Sequence, residues 1–113
     1  MGNVNNTKLM QDIETLVSEE LDRAVNKFGA FNSPHEGKSI IEEEIEESLD
    51  EIEEIKKHYN CLWQSIKLNN KKDQRTFVLM LMIDAERAVY ELIQVAAMAK
   101  RYLEDIKENQ INA

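Results

Sequence analysis

Apolar residues recur at three- and four-residue spacing in three long stretches of this chain, the period of helices with one buried face. The first stretch covers about residues 5–28, where Leu9, Ile13, Leu16, Val17, Leu21, Ala24 and Val25 share a stripe. Gly29 then marks a stop, because glycine readily takes the left-handed conformation that ends helices. The segment AFNSPHEGKS leads into the second stretch. Ser33, Pro34 and Glu36 read as an N-cap, a proline in the first helical position and a capping-box acid. Ser39 with Glu42 repeats the signal one turn later, and spacing alone leaves both starts open.

The second helix is expected over about 34–68. Its stripe is Ile41, Ile45, Ile52, Ile55, Tyr59, Leu62 and Ile66, with Leu49 and Trp63 at one margin. NNKKDQ breaks the pattern, and a third helix is expected over about 73–107, with a frayed tail at 108–113. Between Phe77 and Ala99 this last helix is apolar on nearly every side. Such a helix is either central to a bundle or covered by a second copy of the chain. The expectation is therefore an all-α protein: a single domain over 1–113, with three long helices joining an oligomeric helical bundle, as a dimer or tetramer.

Composition agrees. The 113 residues include three glycines and one proline, too few for many tight turns. A net charge of −8 argues against a nucleic-acid partner, because phosphate backbones are held by basic surfaces. Free nucleotides stay open, since a divalent cation bridges acidic protein to acidic ligand. Cys61 is the single cysteine, so no intrachain disulfide forms and a reducing, cytoplasmic setting is expected. Residues 1–17 lack the basic start and apolar run of a secretory signal. No apolar run is long enough to span a bilayer, so no membrane role is expected.

The carboxylates divide by direction. At ~100° per residue, Glu42, Glu43, Glu46, Asp50, Glu53 and Glu54 fall beside or behind the stripe of the second helix, a solvated face. Glu44, Glu47 and Glu51 occupy successive turns along one edge of it. In the third helix, Asp84 and Glu91 lie within the stripe formed by Phe77, Leu81, Ala88, Val95, Tyr102 and Ile106. Desolvated acids are costly unless they are paired or bind metal. Two readings follow: ion pairs, for example with Arg87, or a metal site. Met80, Met82, Met98 and Trp63 read as packing residues, and Cys61 as a buried free thiol, since one pair with His58 three residues before it is a weak ligand signal.

Two blocks, KFGAFNSPHEGKSIIEEEIEESLDEI and YELIQVAAMAKRYLEDI, resemble the MazG-like branch of the all-α nucleoside triphosphate pyrophosphohydrolases. That family carries an EExxE motif on one helix and ExxD on a later one. Here Glu43 to Glu47 fit EExxE, and Glu91 to Gln94 occupy the ExxD place. The resemblance implies facing motif helices and hydrolysis of an NTP or dNTP between the α- and β-phosphates, giving a monophosphate and pyrophosphate. It implies Mg²⁺, or Mn²⁺ in its place, on Glu44, Glu47 and Glu91. Glu43 is a candidate base. Arg101 and Lys38 are candidates for phosphate contacts. His35 is a candidate for the base or a phosphate, set against a plain exposed histidine at a helix start.

Two departures matter. Gln94 stands where the family has aspartate; its amide oxygen still ligates but brings no charge. Asp84, one helical repeat before Glu91, is the candidate replacement. The stretch from Ser48 to Tyr90 is also longer than is usual in the family. The alternative is a catalytically weak or inactive binding or assembly protein that keeps the scaffold.

Overall fold

A computed structural model describes residues 6–109, with side chains to Lys107. It has three helices, α1 (Thr7–Phe28), α2 (Pro34–Lys67) and α3 (Lys71–Asn109), and no strand among the described residues. The expected helix start at residue 5 and the tail from 110 onward lie outside those residues. No helix among them is long and apolar enough to cross a membrane.

The helix ends follow from short polar signals. Asn6 caps α1 by accepting the Leu9 N–H at 2.9 Å. Gly29 closes it with φ at 75°, its N–H donating to Val25 O at 2.7 Å; a side chain there would strain the backbone. Ser33, not Ser39, starts α2, its Oγ accepting the Glu36 N–H at 3.1 Å. The Glu36 carboxylate reaches back to the Asn32 N–H at 2.6 Å, one residue earlier than a standard capping box. At the far end, Asn70 N–H donates to Ser65 O and Asn69 N–H to Ile66 O, with Asn69 at φ 53°. This pair of bonds around a left-handed residue is the Schellman closure. Asn70 then caps α3 through the Asp73 N–H at 3.0 Å, so α3 begins two residues before the expected Asp73.

The chain's contacts group into two compact units, residues 6–44 with 93–109 and residues 45–92. In the first, Ala24, Phe31, Ala97 and Met98 form the core, with Val17, Ile40, Ile41 and Tyr102 packed against it. Ala97 is 0% exposed. Gly37 lets α2 meet Tyr102, for a Cβ there would sit 2.6 Å from the ring. The connection between α1 and α2 is tied down where the Phe31 N–H donates to the buried Asp105 carboxylate at 2.8 Å.

The second unit is a hairpin of the later part of α2 and the earlier part of α3. Its buried residues are Ser48, His58, Ser65, Asp84 and Ala88. Its large apolar residues, among them Ile45, Leu49, Tyr59, Trp63, Leu79, Met82, Val89 and Leu92, are exposed. This shifts part of the expected stripe of α2. The inward line runs through Ser48, Ile55, His58, Leu62 and Ser65, so Ile55 and Leu62 of the expected stripe are kept, while Ile45 and Tyr59 are exposed. The reason is steric: small and polar residues on that line let two helices approach closely.

Candidate functional site

Glu47 and Glu91 meet inside the second unit, and their carboxyl groups share a hydrogen bond. Glu44 stands one turn before Glu47 on the continuous α2. One carboxylate oxygen from each of the three lies within 4.8 Å of the others. The i, i+3 spacing brings Glu44 and Glu47 to one edge, and the seven-residue step from Asp84 to Glu91 keeps Glu91 on the inward line of α3. Glu44 and Glu91 are partly buried and Glu47 is exposed.

The electrostatics record this crowding. Glu91 holds its proton more tightly than an ordinary carboxylic acid. Burial is the first cause, followed by the charge of Glu47 beside it, the bond they share, and the charge of Glu51. A shared proton and a cation serve the same purpose between two carboxylates, which is to offset their repulsion. Three hard oxygens are a donor set that Mg²⁺ or Mn²⁺ takes. Carboxylate groupings of this size also occur on protein surfaces without a metal.

The other expected ligands have their own partners. Asp84 is buried and bonds His58 Nδ1 across the hairpin, and the His58 ring stacks on Phe77. Gln94 is buried and its side chain hydrogen-bonds Glu20. The Glu20 carboxyl is held below its ordinary value, chiefly by its bond to Arg23; burial opposes this, and the Gln94 bond adds to it. Asp84 does not belong to the group formed by Glu44, Glu47 and Glu91, and Gln94 lines the cavity that Glu44 also lines.

The candidates for substrate contact also separate. Lys38 is exposed and pairs with Glu42 at 3.3 Å. It borders an apolar hollow with Ile41, Tyr102 and Leu103. His35 is exposed on the first turn of α2. Arg101 is buried, and it lines a cavity of about 410 Å³ within the first unit together with Glu43, Glu44 and Gln94.

Sequence reasoning missed the His58–Asp84 pair and the Glu20–Gln94 bond. A histidine on one helix and an acid in the apolar stripe of the next were visible signals. Only the hairpin's register joins them. No protein-family model matches the chain, and no curated protein or solved structure is detectably similar to it.

Proposed function

We propose that this protein is a Mg²⁺-dependent nucleoside triphosphate pyrophosphohydrolase of the MazG-like kind, acting as a homo-oligomer. The single observation that carries the reading is the convergence of Glu44, Glu47 and Glu91 at the positions where the EExxE and ExxD motifs would put ligands. Their fit to a divalent cation rests on the donor chemistry and on the raised proton affinity of Glu91, which marks a concentration of negative charge.

Glu44, Glu47 and Glu91 would hold the ion, which would supply charge neutralisation and Lewis acidity at a phosphate chain. The chain's own residues do the rest. Glu44 lines the cavity of the first unit. Glu43 lines the cavity and in this reading serves as the base for the attacking water. Gln94, bonded to Glu20, acts as a wall of the cavity. The reaction breaks the bond between the α-phosphorus and its bridging oxygen, and water supplies the new oxygen.

The test is pyrophosphate release from a panel of NTPs and dNTPs with Mg²⁺ or Mn²⁺. Glu47→Gln and Glu91→Gln should each lower turnover by at least about a hundredfold while the helical circular dichroism is kept. Activity that survives either change removes the assignment.

A second reading is favoured by a different observation. The exposed apolar residues of the second unit suit a helical assembly protein that retains the scaffold. It differs from the first in one respect: Mg²⁺ and nucleotide leave its thermal midpoint unchanged.

A further inference from the structure

We propose that a second hollow of the first unit, between α1 and the C-terminal part of α3, is a binding site for a free basic α-amino acid of the lysine or arginine kind. The hollow holds about 360 Å³, within the roughly 300–1,000 Å³ that takes small-molecule ligands. Helical spacing builds it. Leu21, Asp22 and Val25 share one edge of α1, and Arg101, Glu104 and Asp105 share one edge of α3, at steps of three and four residues. The site goes beyond the pyrophosphohydrolase reading. Asp22, Glu104 and Asp105 belong neither to the group of Glu44, Glu47 and Glu91 nor to the larger cavity.

Arg101 calls for an anion. It is 4% exposed and borders this hollow. Its Nε has no hydrogen-bond partner. Its NH1 donates to the Met98 sulfur at 3.7 Å, a weak acceptor. The guanidinium lies 3.9 Å from the centre of the Phe31 ring, so one face is covered by carbon. The buried Asp105, one turn further on, accepts the Phe31 N–H at 2.8 Å rather than a guanidinium hydrogen. A desolvated cation in such company is costly until an oxyanion joins it. A carboxylate matches the planar fork through two parallel bonds.

The other walls set the rest of the ligand. Asp105 is buried, while Asp22 and Glu104 are exposed. Three carboxylates against one guanidinium leave two formal negative charges in excess. That excess repels phosphate and dicarboxylates. Its complement is a molecule with one carboxylate and two cationic groups, which is a basic α-amino acid. The carboxylate meets Arg101, the cationic groups meet the acids, and the methylene stem lies along Leu21 and Val25. A diamine would leave Arg101 without its anion, and a neutral amino acid would leave the acids one cation short.

The experiment titrates L-lysine and L-arginine into the full chain by calorimetry at low ionic strength, and follows the ¹H–¹⁵N resonance of Arg101 Nε alongside. Four controls each change one feature. 1,5-Diaminopentane lacks the carboxylate, L-norleucine lacks the second cation, Nα-acetyl-lysine imitates the end of a peptide, and orthophosphate is a plain anion. At least one basic amino acid should bind saturably and move the resonance, with every control at least about tenfold weaker, the loss expected for a hydrogen bond to a charged group. Arg101→Met should weaken binding about ten- to hundredfold. Asp22→Asn combined with Glu104→Gln should weaken it about two- to fivefold, as exposed ion pairs do. No saturable binding of either amino acid, an Arg101 resonance that stays still, or a control that binds equally well would overturn the proposal. Should Arg101→Met fail to fold, the double variant, which changes exposed residues alone, decides together with the wild-type resonance. Binding that this variant leaves unchanged also overturns it.

Discussion

Glu91 is where residue-level electrostatics become measurable. Its proton is held above the ordinary carboxylate value of 4.5. In the unfolded chain it returns to that value. Between the two, the folded state binds more protons, so stability falls as pH rises through this window and the loss is complete above the raised value. Glu47→Gln removes the neighbouring charge and leaves burial and Glu51, so the Glu91 midpoint should move down toward the ordinary value. Carbon-detected titration of the Glu91 carboxyl measures this directly, and an unmoved midpoint would show that Glu47 is not the neighbour that matters. A divalent cation competes with the proton on Glu91, so its affinity should rise with pH across the same window.

At the scale of elements, legibility in the sequence depended on how local the cause was. Gly29 as a stop and Ser33 with Pro34 and Glu36 as a start involve neighbours within one turn, and α1 and α2 end and begin there. The start of α3 slipped by two residues because Asn70, hidden in a run of polar residues, supplies the cap. Which face of α2 turns inward is a non-local matter. Apolar residues occur on more than one face, and the face carrying Ser48, His58 and Ser65 wins because it lets α3 come close. Glu44, Glu47 and Glu91 were legible as candidates because helical spacing fixes directions. Asp84 and Gln94 were not, since their partners, His58 and Glu20, come from other helices. The approach of α2 to α3 in the first unit depends on Gly37 in the same way. Gly37→Ala drives a methyl against the Tyr102 ring and should cost about 1–3 kcal/mol in denaturant unfolding, the range for overpacking. A loss under a few tenths would mean that the ring simply swings aside.

For the whole molecule, the distribution of apolar surface is the dominant fact. The hairpin of the second unit keeps polar and small side chains inside and leaves Leu49, Trp63, Val78, Met82, Val89 and Leu92 exposed. So many exposed apolar side chains on a chain of net charge −8 suit a protein that meets another surface, and a second copy is the partner proposed above. Trp63 makes this visible. It is the sole tryptophan, half exposed, with the Lys67 ammonium 5.6 Å from the centre of its ring. An indole in water emits at longer wavelength than one enclosed by carbon, so the molecule carries its own fluorescent gauge. Dilution through the dissociation range should shift its emission to the red and restore quenching by iodide, in step with the sedimenting mass. A spectrum indifferent to concentration, with a monomer's mass throughout, would place this indole permanently in water.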